Sequence, residues 1–90
     1  MQSTSVTVAA AGQAVAGGCK VYGVTFLASG VGAGTIEVRD GGVAGTIRCY
    51  LGAPTSNASH TVFHGLHFDT DVWITGANIA GVTVEYIPDT

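Results

Sequence analysis

Short runs of β-branched and aromatic residues recur along this chain, and glycine, asparagine, aspartate or proline separates each run from the next. This pattern is typical of β-strands joined by tight turns. Helix signals are nearly absent, and the glycines of Ala9–Gly18 favour a loop or short turn there. The pattern predicts strands near Thr4–Ala9, Cys19–Ala28, Gly34–Arg39, Gly45–Leu51, Ser59–His64, Leu66–Asp69, Val72–Thr75 and Val82–Ile87.

About eight short strands in 90 residues indicate an all-β fold, a small antiparallel β-sandwich of jelly-roll-like form. Ninety residues make a single domain, residues 1–90, in which residues 1–18 supply an N-terminal arm plus the first strand. We expect the arm Gln2–Thr7 to lie over a neighbouring molecule. The start of the chain lacks the basic residues and the sustained apolar core of a signal peptide.

One hairpin, TIEVRDGGVAGTIRCYL, has a register that the sequence predicts. A loop symmetric about Gly42 and Val43 places Val38 opposite Ile47 and Ile36 opposite Cys49 on the core side. Alternation then puts Thr35, Glu37 and Arg39 on the solvent side of the first strand, and Thr46, Arg48 and Tyr50 on that of the second. Glu37 opposite Arg48 is a favourable cross-strand charge pair.

Two predicted strands carry large apolar side chains on both faces. In KVYGVTFLA, Tyr22 and Phe26 lie on one face of the strand, and Val21 and Leu27 lie on the other. In DVWITG, Val72 and Ile74 lie on one face and Trp73 lies on the other. Either a β-bulge turns one residue inward, or the strand is central and covered, or the second apolar face meets another chain.

Charge is scarce. Charged residues make up 10% of the chain, hydrophobic residues make up 47%, and the mean hydropathy is +0.43. The net charge is -3, with Lys20, Arg39 and Arg48 as the cations, so neither a nucleic acid nor an anionic membrane surface is an expected partner. No apolar run approaches the roughly 18 residues that a membrane-spanning helix needs.

The histidines cluster as His60, His64 and His67, and this spacing raises the question of a metal site. Along a strand, His60 and His64 share a face but lie roughly 13 Å apart, too far for one ion unless the chain bends. Gly65 could provide such a bend, and a symmetry axis could bring copies of one histidine together. Exposed or interface histidines are the favoured interpretation, so no metal or other cofactor is predicted.

The aspartates Asp69 and Asp71, together with Asp40 or Asp89, raise a similar question about calcium. Aspartates with this spacing in a turn more often cap backbone N–H groups, which is the interpretation we favour.

Enzymatic activity is not predicted, and the sequence offers no catalytic residue. Ser29, Ser56 and Ser59 lie in turn-like segments without a nucleophile-elbow pattern, and the loop GVGAGT lacks the lysine and helix of a phosphate-binding loop. Cys19 and Cys49 could form one disulfide, but two buried free thiols are the favoured interpretation.

A chain with few charges and apolar residues on both faces of some strands is suited to being covered by neighbouring molecules. The segments VYGVTFLASGVGAGTIEVRDGG, GTIRCYLGAP and FHGLHFDTDVWITGANIAGVTVEY resemble small structural proteins of tailed-bacteriophage virions. The resemblance covers roughly residues 21–87 and consists of strands and turns. It implies a β-sandwich without enzymatic activity, either a capsid decoration (cement) protein or a related small virion component, and no functional motif is carried over.

Under this hypothesis the chain assembles in the host cytoplasm and lies on the capsid exterior, bound to the major capsid protein as a homo-oligomer, with a trimer favoured. The residues predicted to contact partners are Trp73, Tyr22, Phe63, Gln2, Ser3 and Thr4. The alternative is a tail, fibre or spike component that binds a receptor or glycan, with Trp73 flanked by Asp69 and Asp71. A small metal-dependent enzyme is a third hypothesis.

Overall fold

In the computed structural model, which describes residues 3–89, the chain alternates between strands and short turns. The strands are β1 (Thr4–Val8), β2 (Gly12–Ala16), β3 (Cys19–Ala28), β4 (Gly34–Asp40), β5 (Thr46–Ala53), β6 (Ala58–Phe68), β7 (Asp71–Ala77) and β8 (Ile79–Pro88). No helix within these residues is long and apolar enough to cross a membrane.

The strands form two four-stranded antiparallel sheets, sheet 1 in the order β1-β8-β3-β6 and sheet 2 in the order β2-β7-β4-β5. The chain folds back on itself at the β4–β5 turn, so that β4 pairs with β5, β3 with β6, β2 with β7 and β1 with β8. The pairs β1–β8 and β3–β6 lie in sheet 1, and the pairs β2–β7 and β4–β5 lie in sheet 2, so successive pairs alternate between the two sheets. The strand order is that of a jelly roll, and the predicted all-β sandwich is confirmed.

The core lies between the two sheets and is built from the residues that alternate toward the inside along the strands. Its largest fully buried side chains are Phe26, Phe68, Ile36, Ile74, Val21, Val24, Val38, Val72, Val82, Val84 and Cys19. Cys49 packs against this core, and both cysteines are free thiols, as favoured from the sequence. Burial raises the pKa of each thiol to about 11, so both behave as small hydrophobic groups.

A bulge in β3 explains how this strand buries residues of both parities. The pairing of β3 shifts between Val21 and Gly23, and Tyr22 is the residue passed over. Val21 before the bulge and Phe26 after it are both fully buried, while Leu27 stays partly exposed. The bulge, one of the predicted alternatives, is thus present in β3, whereas in β7 Val72 and Ile74 are buried and Trp73 stays partly exposed on the other face. Contact of the second face of either strand with another chain stays a prediction.

The N-terminal region matches the prediction in part. The strand predicted near Thr4–Ala9 is β1, which pairs with β8 of its own chain as an edge strand of sheet 1. Contact of the arm Gln2–Thr7 with a neighbouring molecule stays a prediction, and Gln2 lies outside the described residues. Gly12–Ala16, predicted as loop, is strand β2 and pairs with β7. The small residues of β2 have little strand preference of their own, so the sequence gives no strand signal here. Pairing with β7 imposes the extended conformation.

The strands predicted at Ser59–His64 and Leu66–Asp69 are one strand, β6, interrupted by an irregularity. Between Val62 and Leu66 its pairing with β3 shifts, and Gly65 within this stretch has a φ of 91°. Glycine tolerates that left-handed conformation, so the strand bends here without ending.

The register of the β4–β5 hairpin also differs from the prediction. Ile36 and Val38 are buried as expected, but Val38 lies opposite Cys49 and Glu37 lies opposite Tyr50. The turn is offset by one residue, and a bulge then passes over Arg48. The guanidinium of Arg48 lies 5.7 Å from the ring centroid of Phe68 and does not pair with Glu37.

Two glycines with nearly the same φ allow the packing of β7 against β4 to be tested. Gly76 has a φ of 148° and Gly12 a φ of 149°. A Cβ at Gly76 would collide with the carbonyl oxygen of Thr35, whereas one at Gly12 would have no neighbour within 4 Å. We expect Gly12→Ala to lower the free energy of unfolding by about 1–3 kcal/mol through backbone strain alone.

Gly76→Ala should lower it by about 1–3 kcal/mol more, because β4 must also move to admit the methyl group. Urea unfolding of both variants measures the difference. Equal losses would show that β7 does not approach β4 as closely as described.

Candidate interaction surfaces

The outward-facing side of sheet 2 carries the most varied chemistry of the molecule, and we call it the Trp73 face. It consists of Gln13, Glu37, Arg39, Tyr50, Trp73 and Thr75. Pairing sets these residues in two rows across the sheet. Arg39 and Gln13 flank Trp73 in one row, and Thr75 and Tyr50 flank Glu37 in the other.

Hydrogen bonds hold the polar centre of the Trp73 face in place. Arg39 Nε donates to Thr75 Oγ1 at 2.9 Å, and the Thr75 hydroxyl donates to Glu37 Oε1 at 2.8 Å. Arg39 Nη1 donates to the carbonyl of Gly45 at 3.0 Å, and its Nη2 lies 3.8 Å from Glu37 Oε1. The opposite charges compensate each other, so the centre is polar, ordered and close to neutral.

Two aromatic side chains flank this polar centre. Tyr50 is 72% exposed, and Trp73 is partly exposed. They lie two strands apart and two residues apart along the strands, which separates their Cα atoms by roughly 12 Å. Tyrosine and tryptophan are common at protein interfaces, because the ring buries apolar area and its O–H or N–H group can hydrogen-bond with water or with a partner.

The other residues predicted to contact partners do not join Trp73. Tyr22 lies in the β3 bulge, and its ring would come within 3.5 Å of a Cβ at Gly65. Phe63 packs partly against the core. Thr4 pairs with Tyr86 in sheet 1, exposed Ser3 precedes it, and Gln2 lies outside the described residues. The predicted set is therefore divided between the two sheets, and contact with a partner stays a prediction for each member.

Alternation along the strands had already placed Glu37, Arg39 and Tyr50 on the solvent side, as the structure does. What the sequence did not reveal is their grouping with Trp73 and Thr75. That grouping depends on the pairing of β4 with β7, and residues 41–70, a third of the chain, lie between these strands.

Asp40 holds the turn between β6 and β7. Its carboxylate accepts hydrogen bonds from the backbone N–H groups of Asp69 at 2.8 Å, Thr70 at 2.9 Å and Asp71 at 3.4 Å. Burial alone would raise the pKa of Asp40, but these N–H groups and the charge of Arg48 lower it below the ordinary value of 3.8.

Asp71 makes the reciprocal connection to the turn between β4 and β5. Its buried carboxylate accepts from the N–H groups of Gly41 at 2.9 Å and Gly42 at 3.1 Å, and from Gln13 Nε2 at 3.1 Å. We call the pair Asp40 and Asp71 the loop clamp. Of the four aspartates considered for calcium, Asp40 and Asp71 thus cap backbone N–H groups, across two turns and not within one, whereas Asp69 and Asp89 contact His67.

His67 lies between two carboxylates at the end of β6. Its Nδ1 is 2.9 Å from Asp69 Oδ1, and its Nε2 is 2.9 Å from Asp89 Oδ2. The hydrogen bond to Asp89 is the main cause that raises the pKa of His67, and the charges of Asp89 and Asp69 add to it, against burial and the charge of Lys20. Both ring nitrogens donate when the imidazole is charged.

His60 and His64 lie elsewhere on β6, and His60 Nδ1 is 2.7 Å from the hydroxyl of Thr25. Among residues 3–89, no three histidine, cysteine, aspartate or glutamate side chains are grouped as an ion would require. The bend at Gly65 does not bring the three histidines to one point.

The loop clamp predicts acid-sensitive stability. Because folding lowers the pKa of Asp40, its contribution is present above pH 3.8 and is lost as the pH falls through the lowered value. Asp40→Asn should lower the free energy of unfolding by about 1–3 kcal/mol at neutral pH, and by less in acid, where the native carboxylate is itself protonated. Urea unfolding at neutral and acidic pH measures this, with Glu85→Gln as the control for loss of an exposed charge. Equal losses in the two variants would contradict the clamp.

The His67 contacts predict the opposite pH dependence. Because folding raises the pKa of His67, its contribution is full below pH 6.5 and is lost as the pH rises through the raised value. In an NMR titration of the imidazole, Asp89→Asn should bring the His67 pKa back toward 6.5 more strongly than Asp69→Asn, since Asp89 is the main cause. A larger effect of Asp69→Asn would contradict this order.

Comparison with known proteins identifies no relative: no protein-family model, no curated protein and no solved structure matches the chain. A functional proposal for it rests on its strand order, its surface chemistry and its pattern of charge.

Proposed function

We propose that this chain is a structural virion protein, a capsid decoration or cement subunit that lies on the exterior of a phage head and binds across neighbouring major capsid subunits. The observation that carries the proposal is a surface poor in charge and well supplied with exposed apolar side chains. Val31 is 87% exposed, Tyr50 72% and Val62 69%. Charged residues are 10% of the chain, against roughly 25% in ordinary soluble domains.

The Trp73 face is the surface that we assign to the capsid contact. Aromatic residues and arginine are enriched at the centres of protein interfaces. The neighbouring Glu37 compensates the charge of Arg39, so covering the pair leaves no lone ion without a partner. A neighbouring subunit that covers Trp73 and Tyr50 therefore gains apolar burial at a modest electrostatic cost.

The role is mechanical and non-enzymatic. A cavity of about 190 Å³, lined by Lys20, Tyr22, Ile87, Pro88 and Asp89, is smaller than the roughly 300–1,000 Å³ of typical small-molecule sites. Burial of apolar area contributes about 25 cal/mol per Å², and many weak contacts repeated over a shell add through multivalency. A homo-oligomer on the shell would add to this effect.

A tail, fibre or spike component that binds a receptor or glycan is the second candidate. Its support is the placement of Tyr50 and Trp73 around hydrogen-bonding groups, which suits stacking on a sugar ring. Asp69 and Asp71, which the sequence places beside Trp73 as possible sugar-binding groups, have other partners in the structure. Asp71 accepts hydrogen bonds from backbone N–H groups in the loop clamp, and Asp69 contacts His67.

The test is to purify particles by density gradient from cells that express the chain, and to quantify it by mass spectrometry relative to the most abundant shell protein. A decoration protein is expected in a fixed, high ratio to the shell protein. A few copies per particle would favour the tail or spike candidate, and absence from the particles would contradict both.

Variants then locate the contact. The native chain should rebind to particles that lack it and should raise the temperature at which those particles rupture. Trp73→Ser and Tyr50→Ser should abolish both effects. Thr83→Ser, on the outward face of sheet 1, is the matched control and should rebind normally. Rebinding by all three variants would exclude the Trp73 face as the contact.

A further inference from the structure

The outer edge of β6 is open. The strand has 11 residues and pairs with β3 along one side, while no strand within residues 3–89 pairs with its other side. The backbone N–H and C=O groups of an open edge are a template for another strand.

This edge lacks the features that usually prevent such pairing, which are charge, proline and shortness. Segment Ala58–Phe68 contains no lysine, arginine, aspartate, glutamate or proline. The other edge strands are better protected: β1 and β2 have five residues each, and β5 carries Arg48 at a bulge. Among the four sheet edges, β6 is thus the longest, and it carries no lysine, arginine, aspartate or glutamate.

The side chains of β6 give this edge a symmetric pattern. Over residues 58–64 exposure alternates regularly, and the outward-facing side chains include His60, Val62 and His64. Val62 is 69% exposed and lies midway between the two histidines. The pairing of β6 with β3 is regular from Ala58 to Val62, and the irregularity around Gly65 lies between Val62 and Leu66.

We propose that two copies of this chain pair through β6, antiparallel and about a two-fold axis at Val62. In that register Val62 contacts Val62 of the second copy, and His60 lies opposite His64 of the second copy on both sides of the axis. The Cβ atoms of such opposite residues are about 4.5–5.5 Å apart. Sheet 1 of one copy then continues into sheet 1 of the other as a single eight-stranded sheet.

A second copy is the occupant that the chemistry of this edge favours. The pattern His–x–Val–x–His reads the same in both directions, as a two-fold contact requires, and two-fold dimers are the commonest closed assemblies. Because β5 packs beside β6, the contact side is two layers deep.

This inference is independent of the virion proposal, since it depends only on the edge of sheet 1 and leaves the Trp73 face free. It differs from the trimer expected from the sequence, because pairing of an edge with its own copy closes at two chains.

Two double variants of the full chain test both the contact and its register. His60→Lys with His64→Lys places like charges opposite each other at both sites, whereas His60→Lys with His64→Glu places opposite charges there. The dissociation constant of the dimer, measured by sedimentation equilibrium, should be on the order of tenfold higher for the first variant than for the second. Both variants lose the bond between His60 and Thr25, so its loss does not affect the comparison, and circular dichroism confirms that each is folded.

A native chain that is monomeric throughout the measured range would overturn the proposal, and equal dissociation constants for the two variants would overturn the register. Val62→Cys provides an independent readout, because a mild oxidant should then link two chains in high yield. Ser5→Cys on β1 is the control and should give no more product than the native chain. Preferential linking through β1 would overturn pairing of β6 with its copy.

Discussion

The constraint on which this structure depends is that two small sheets must bury one face each with only 90 residues. Every strand except β1 places at least one nearly or fully buried hydrophobic residue between the sheets, and β1 adds Val6 and Val8 at the margin. Such a core supplies little surplus stability, because the cost of ordering the chain is of similar size. Backbone N–H groups in two turns that are distant in sequence donate hydrogen bonds to the carboxylates of the loop clamp, so the clamp links these turns.

The short β-branched and aromatic runs between turn residues predicted the fold class. Alternation predicted which face of β4 is buried, because period-two burial is a local property of each strand. The bounds of Cys19–Ala28 were predicted as observed, and Ile36 and Val38 are buried as expected. Strand β2 was missed for the opposite reason: GQAVA has no local strand signal and becomes a strand through its partner β7. The hairpin register was wrong because it assumed a symmetric loop without a bulge, whereas the chain passes over Arg48.

The interaction surfaces were predictable in part, and the limit is physical. Which side chains face outward follows from alternation, so Glu37, Arg39 and Tyr50 were placed correctly. Which outward side chains become neighbours depends on strand order, and the strand order of a jelly roll brings β4 beside β7. The same holds for the clamp, since Asp40 binds N–H groups 29–31 residues away. Sequence spacing raised the question of a calcium site, although capping was favoured, because it showed the carboxylates without their partners.

Scarce charge and an open edge have a common consequence for a domain of this size. A surface with few ions gives up part of the repulsion that keeps proteins apart, and an edge without lysine, arginine, aspartate or glutamate offers unpaired backbone groups. Any partner that binds the folded chain and not the unfolded one adds to its stability by mass action. In the proposed assembly, a partner that covers a face or an edge of the sandwich would therefore add to the small stability of its core. On this view the exposed apolar side chains are part of what keeps the chain folded when it is assembled.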